Sequence, residues 1–351
     1  MTASTKTTKQ GLLQRLAAGP VLCAEGYVFE LERRGYLKAG AYVPEVVLEF
    51  PEVATQLHHE FARAGTDVQV ALTYYAHREK LKAIGRENDL EKINRTALRL
   101  AKEAAKETGA LVVANICNTG AYDLSHLEDS SAEVRRQYTE QVAWAADEGV
   151  DFVLAETIPY LGEALIALEV IKSFGLPAVI NLSTNREQSH DGYDWIEACK
   201  ILEKHGADVV GFNCSRGPAA MLPLLRKLRS AVTIPIAGVP VPYRTTIEQP
   251  SFQSFKNSST GKSAYTVGLD EFLCTRQEMA DFATQAQEIG VGFIGICCGA
   301  GPHHVRAMAE ALGRTVPASK YSPDMSQHYM VGTGTFAKAH EEAFLTHFAK
   351  A

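Results

Sequence analysis

No stretch of this 351-residue chain holds the ~18 apolar residues that a membrane-spanning helix needs. The opening run MTASTKTTKQGLLQRL has no apolar centre of the kind a secretory signal carries, so residues 1–18 are expected to form a flexible arm. Positive charge is not in excess. Thirty-five Lys and Arg stand against 41 Asp and Glu, for a net charge of −6, which leaves no broad basic surface for nucleic acid. Thiol pairing is short as well. Seven cysteines are an odd number in a long chain, a poor disulfide framework that suits a reducing, cytoplasmic compartment. No break in composition divides the chain into parts.

What is present is a repeating pattern. AGTDVQVAL (from Ala64), TGALVVANI (Thr108), EGVDFVLAE (Glu148), HGADVVGFN (His205) and IGVGFIGIC (Ile289) each carry a glycine, one to three residues, and an apolar run of strand length. Each follows a stretch with helical periodicity. The glycine sits where a helix C-cap belongs, and the run after it reads as a fully buried strand. Strands are expected at 21–25, 68–75, 111–117, 152–157, 178–183, 209–214, 234–239 and 293–298. Helices are expected at 162–174, 193–205, 219–230 and 276–289, the third with Pro223 in its first turn. Another is expected to open on a Ser130/Glu133 capping box and close at Gly149, with Val134, Tyr138, Val142 and Ala145 on one face. Eight such units favour a single-domain α/β fold, a (β/α)8 TIM barrel over 19–315. The Ser/Thr/Pro/Gly-rich stretch 240–275 follows the seventh strand and is expected as a rim insertion. Residues 316–351 read as a C-terminal extension with a short helix near 335–348.

In such a barrel the chemistry sits at the C-terminal ends of the strands. The last strand ends in GICCGAGPHH (295–304), two adjacent cysteines before a glycine-rich turn. Either they are small buried hydrophobes or they are metal ligands, since a disulfide between neighbours is strained. Cys214 shifts the balance toward ligands, because it ends the sixth strand on the same rim. Three thiols converging there make a three-ligand zinc site with one open position. Cys23, Cys117, Cys199 and Cys274 keep the core reading. His303 and His304 read as ligands, as second-shell groups, or as the first turn of the last helix, where the glycine-rich turn could hold an anion.

At these residues the chain resembles a known family. GFNCS around Cys214 and GICCG around Cys297 resemble the zinc motifs of the homocysteine S-methyltransferase family. EGYVFELERRGYLKAGAYVPE (from Glu25) and LHHEFARAGTDVQVALTYYA (from Leu57) are similar to its betaine-using branch. The resemblance covers roughly residues 20–315. It implies a (β/α)8 barrel holding one Zn2+ on Cys214, Cys297 and Cys298, a homocysteine thiol as acceptor, and a methylated onium donor such as glycine betaine. Methionine would be the product. Glu156 would hold the substrate ammonium, and Tyr75 would approach the zinc. Tyr42, where betaine-using relatives carry Trp, would offer a ring face to the donor cation together with Tyr74 and Tyr75. Glu25, Gly26, Thr157 and Asn213 would complete the substrate site. Zinc lowers a bound thiol's pKa, and holding thiol and methyl group in line supplies the proximity term.

Three departures stand out. The family aspartate position is Ala24, and the neighbouring Glu25 is expected to point the other way, since adjacent strand residues alternate. Thr157 stands where betaine-using relatives have Tyr, and Ile296 replaces a Gly. These leave two alternatives open: a sulfonium donor (S-methylmethionine or dimethylsulfoniopropionate), or a non-catalytic barrel that binds zinc or an osmolyte. Nothing resembles the cobalamin motif Asp-x-His-x-x-Gly. A homo-oligomer is expected, with 240–275 and the tail as contact elements.

Overall fold

Eight parallel strands alternate with helices along the chain. The strands β1 (Val21–Ala24), β2 (Val68–Val70), β3 (Leu111–Cys117), β4 (Phe152–Ile158), β5 (Ala178–Ser183), β6 (Val209–Asn213), β7 (Ile236–Val239) and β8 (Phe293–Ile296) pair in the order β2-β3-β4-β5-β6-β7-β8-β1. The remaining gap, between β1 and β2, is bridged by Asp67. Its N–H donates to the Leu22 carbonyl at 2.8 Å, and its carboxylate accepts the Leu22 N–H at 2.7 Å. The computed structural model describes residues 9–38, 40–327 and 332–333, and within them the expected (β/α)8 barrel is present.

The helices are α1 (Leu12–Ala18), α2 (Tyr27–Arg33), α3 (Val46–Glu49), α4 (Pro51–Ala64), α5 (Arg78–Ala83) and α6 (Leu90–Thr108). They continue with α7 (Leu127–Glu148), α8 (Leu161–Ser173), α9 (Trp195–Lys204), α10 (Pro218–Ala231), α11 (Arg276–Ile289) and α12 (Pro302–Ala311). In the outer ring α12 packs against both α11 and α4, so the helical layer closes as the sheet does. Among the described residues no helix is long and apolar enough to cross a membrane.

Side-chain alternation sorts the strands into two apolar layers. Val21, Val70, Val113, Phe152, Leu154 and Phe293 fill the barrel interior, while Leu22, Val112, Val153, Ile180, Val210 and Ile294 face the helices. Phe152 and Phe293 meet edge to face, with ring centroids 6.2 Å apart at 86°. Emptying one of these positions by Phe→Ala costs about 3–5 kcal/mol. The interior floor is therefore rigid, and the polar residues one layer above it are held by strands that cannot shift independently.

Several boundaries differ from expectation, each for a local reason. β2 stops at Val70, not at 75. Thr73 replaces its ladder bonds: the hydroxyl accepts the Asn115 N–H at 2.9 Å and donates to the Asn115 carbonyl at 2.6 Å. Tyr74 and Tyr75 thus lie in a turn beyond the strand. The helix expected to open at Ser130 begins at Leu127, and Ser130 is inside it, with its hydroxyl donating to the Asp123 carbonyl at 3.0 Å. Val134, Tyr138, Val142 and Ala145 are buried on one face as the periodicity requires, and Gly149 ends the helix at φ +70°. The first-turn proline of α10 is Pro218, and Pro223 lies in the helix interior. Residues 12–18 of the supposed arm form α1, with Leu12 buried and the Arg15 guanidinium donating to the Gly109 carbonyl at 2.7 Å. From Pro317 the chain forms a separate unit, with short 3₁₀ turns at Pro317–Tyr321 and Met325–Gln327. The helix expected at 335–348 lies outside the described residues.

Candidate active site

Inward alternation at the strand ends raises a polar layer above the apolar floor. Glu25 follows β1, Asn115 is on β3, Glu156 on β4, Asn181 on β5 and Asn213 on β6, and all five are buried. A buried carboxylate without partners is expensive, and here Asn213 supplies them. Its Nδ2 donates to Glu156 Oε2 at 2.5 Å and reaches Glu25 Oε2 at 3.2 Å and Thr157 Oγ1 at 2.9 Å. Asn115 Nδ2 donates to the other Glu156 oxygen. Burial, followed by the Glu156 charge, pushes the Glu25 carboxyl well above its ordinary range. Burial raises Glu156 too, with hydrogen bonds from Glu25, Asn115 and Asn213 opposing the shift. Two buried carboxyls side by side each disfavour the other's charge. Glu25 Oε1 and Asn115 Oδ1 are left without a hydrogen-bond partner.

The inward turn of Glu25 corrects the expectation from alternation. Val21 and Cys23 belong to the interior cluster, and Leu22 and Ala24 to the layer beneath the helices. The same period that removes position 24 from the barrel puts position 25 inside it. Ile296, at the end of β8, packs in the outer layer, away from the site.

Three thiols face this layer. Cys214 Sγ and Cys298 Sγ are 3.7 Å apart, and Cys297 Sγ and Cys298 Sγ are 3.8 Å apart. All three sulfurs lie within 4.8 Å of one another and are buried. Zinc–thiolate bonds of about 2.3 Å set a tetrahedral S–S edge of about 3.8 Å, so the trio fits one zinc ion with its fourth position free. The neighbours' S–H groups hold Cys214 well below the usual thiol range. Burial raises Cys297, and the hydrogen bond with Cys214 raises Cys298. Gly26 makes this approach possible. It adopts φ +75°, and a Cβ on it would lie 2.7 Å from the Cys298 backbone. Its place in the site is therefore steric, under the cysteine turn.

The backbone around the site is strained. Among the described residues, the non-glycine residues with positive φ are Tyr42 (52°), Tyr75 (57°), Thr157 (58°), Cys214 (58°) and Ser215 (56°). Each left-handed residue of this kind costs roughly 1–3 kcal/mol and persists only where its surroundings over-determine it. For Thr157 the cause is a register break in β4 between Ala155 and Ile158, and Asn213 Oδ1 tethers it by accepting its N–H at 2.8 Å. For Cys214 and Ser215 the tethers are Cys214 N–H to the Val239 carbonyl at 3.0 Å and Phe252 N–H to the Ser215 carbonyl at 3.0 Å. Four of the five carry side chains that line one cavity: Tyr42, Tyr75, Thr157 and Cys214.

Comparison with known proteins agrees with this geometry. The family described as homocysteine S-methyltransferase matches residues 26–312. The chain belongs to that family. It is a methyltransferase. Betaine–homocysteine S-methyltransferase 1 of Mus musculus is 33% identical over 340 residues, covering 94% of this chain and 81% of the mouse protein. S-methylmethionine–homocysteine S-methyltransferase of Pongo abelii is also 33% identical, over 328 residues, covering 92% of this chain and 85% of its own length. The metallated form of the homocysteine methyltransferase MmuM from Escherichia coli has the same fold, at TM-score 0.66 and 20% identity, over 83% of this chain and 96% of that one.

In this member of the family the cavity brings together Glu25, Gly26, Tyr42, Tyr74, Tyr75, Thr157 and the three cysteines, with Glu156. Asn213 stands behind them as the shared donor. The aromatic side differs from expectation in two respects. Tyr42 has one ring face covered by Phe29, stacked at 4.7 Å and 12°. Tyr75 already has a cation on its ring, with Lys80 Nζ 4.0 Å from the centroid. Burial raises the pKa of both phenols, so they are neutral. Sequence reasoning missed Phe29, Asn115, Phe252 and Tyr265, which also line the cavity. Phe252 and Tyr265 lie in the rim insertion. Asn115 was legible as an inward position, two residues from Val113 on β3.

The remaining candidates settle in the structure. His304 is in the first turn of α12, buried, with Nδ1 accepting the Gly301 N–H at 3.3 Å and Nε2 donating to the Cys274 carbonyl at 3.0 Å. Cys23, Cys117, Cys199 and Cys274 are buried and free, as the core reading requires.

Proposed function

We propose that this enzyme moves a methyl group from an onium donor to the thiol of homocysteine, giving methionine, with zinc held by Cys214, Cys297 and Cys298. The observation that carries the reading is the three buried sulfurs at strand ends, spaced for one tetrahedral ion. Zinc bound there would lower the pKa of an incoming thiol and so present it as a thiolate at neutral pH.

The protein's own groups do the rest. Glu156, with the free acceptors Glu25 Oε1 and Asn115 Oδ1, offers a primary ammonium the three acceptors it needs. Binding that cation favours the ionised form of both carboxyls and so offsets the burial that raises them. Glu25 thereby takes up the work of the aspartate missing at position 24. Tyr42, Tyr74 and Tyr75 are neutral phenols around the donor side, and an available ring face contributes roughly 0.5–2 kcal/mol to holding an onium cation. The buried cavity excludes water from the path between thiol and methyl group. In the transfer a sulfur–carbon bond forms as the donor's nitrogen–carbon or sulfur–carbon bond breaks. The bonding pair leaves with the donor, which departs uncharged at that atom.

A sulfonium donor is a second reading, supported by the equal identity to the betaine and the S-methylmethionine enzymes. The test is zinc analysis together with a competition between glycine betaine, dimethylsulfoniopropionate and S-methylmethionine, with methionine measured by mass spectrometry. Zinc should be bound at one ion per chain, and Cys214→Ser, Cys297→Ser and Cys298→Ser should each lose metal and turnover, while Cys199→Ser keeps both. Full turnover in a zinc-free triple variant would sink the reading. Transfer from none of the three donors would remove the onium assignment.

A further inference from the structure

We infer that Arg33 and Tyr243 are positioning residues that clamp the Cys297–Gly299 turn and set how tightly the metal is held; this rests on the zinc reading above. The turn is a weak piece of backbone. It lies beyond the end of β8, and Gly299 adopts φ +96°. Its start is anchored, because the Cys297 N–H donates to the Pro240 carbonyl at 2.8 Å. The clamp holds its far side. Arg33 Nη1 donates to the Gly299 carbonyl at 3.3 Å, and Nη2 donates to Tyr243 Oη at 2.9 Å. The Tyr243 ring covers Gly299 so closely that a Cβ there would lie 2.3 Å from the phenol oxygen.

Both members are themselves fixed. Tyr243 is buried and stacks on Phe252 at 5.5 Å and 6°. A Cβ on Gly217 would lie 1.8 Å from the Tyr243 carbonyl oxygen, so the backbone is wedged as well. Arg33 extends from the last turn of α2 and meets Glu30 only at 3.9 Å. That is beyond hydrogen-bond length, so its short contacts go to the turn and its brace. One helix and the rim insertion thus converge on the residue after Cys298, while Gly26 packs against the Cys298 backbone. A cysteine pair held on both sides keeps its sulfurs at metal-binding spacing without metal. Loosening one side lets the apo turn relax, and zinc must then restore it.

Tyr243→Phe removes the hydroxyl and keeps the stacked ring. Arg33→Met keeps the aliphatic stem of a residue at the protein edge, so a folding defect in one variant does not hide the result from the other. Zinc dissociation constants are measured by competition with a chromogenic chelator, with the visible spectrum of the cobalt(II)-substituted proteins as a report on tetrahedral geometry. Each variant should bind zinc about 10–100-fold more weakly, the loss typical when a group supporting a metal ligand is removed. The cobalt bands should weaken, and unfolding of the metal-free proteins should change little. Zinc bound as tightly by both variants as by the parent, with unchanged cobalt spectra, overturns the clamp and leaves the site reading intact. A parent that binds no zinc refutes the site reading, and the clamp with it.

Discussion

Asn213 is the residue whose loss should separate recognition of the amino group from the methyl-transfer chemistry. Its amide donates to Glu156 at 2.5 Å and to Glu25 at 3.2 Å, and accepts the Thr157 N–H at 2.8 Å. Asn213→Leu keeps the branched shape and removes these three bonds along with the contact to Thr157 Oγ1. A hydrogen bond to a charged group contributes about 1.5–3 kcal/mol and a neutral one about 0.5–1.5. Counting one bond to a charged group and two neutral ones, the loss sums to roughly 2.5–6 kcal/mol, shared between stability and substrate binding. If about 2.7 kcal/mol of it falls on the bound state, kcat/KM for homocysteine drops about 100-fold. The control is a thiol without an amino group, 3-mercaptopropionate, whose slower methylation does not use the carboxyl pair. Its kcat/KM should change by only about threefold. Zinc content is checked first, since Asn213 Nδ2 also lies 3.7 Å from Cys297 Sγ. Equal losses with both thiols at full zinc occupancy would refute the ammonium cradle, and so would an unchanged homocysteine rate.

Two further outcomes follow from the geometry of the thiols. Gly26→Ala places a methyl group 2.7 Å from the Cys298 backbone at φ +75°, so the purified variant should hold zinc substoichiometrically after dialysis; full occupancy would contradict the steric role. In the metal-free site the neighbouring S–H groups lower the pKa of Cys214, while burial raises Cys297 and the hydrogen bond with Cys214 raises Cys298. Zinc uptake should therefore expel protons from the raised thiols, and affinity should tighten as pH rises, by about tenfold per unit for each proton released. Calorimetry in buffers of different ionisation enthalpy counts those protons, and a value near zero would contradict the assignment.

Much of the architecture was legible because buried parallel strands have a strong signature. The apolar runs at 111–117 and 178–183 coincide with β3 and β5. The fold's existence followed from repetition, and the cysteine trio from the convergence of strand ends on one rim. Boundaries failed where a side chain replaced backbone pairing. Nothing in TYYA says that the Thr73 hydroxyl will end β2 five residues early, or that a 3₁₀ turn capped by Asp123 will lead into α7 at Leu127, ahead of Ser130. Glu25 was misread for a different reason. Alternation was applied relative to the family's aspartate, when the parity set by Val21 and Cys23 already placed residue 25 inside. Arg33, Asn115 and Tyr243 were missed because their roles depend on partners 266, 41 and 210 positions away, and no local pattern encodes such pairs.

The bridge at Asp67 gives the order of assembly a meaning for the cell. β1 pairs with β8 over four residues, while its other edge meets β2 through Asp67. Glu25 sits early in the chain and Cys298 late, so a nascent chain has neither a complete thiol trio nor a closed ring until the eighth unit has emerged. No fragment short of that point brings Cys214, Cys297 and Cys298 together. A ligand that recognises only the closed ring lends its binding free energy to closure, about 2.7 kcal/mol at a free concentration 100 times its Kd. With zinc as that ligand, as proposed above, zinc starvation would act twice. It would silence finished enzyme, and it would leave newly made barrels open at the seam for longer, within reach of proteases.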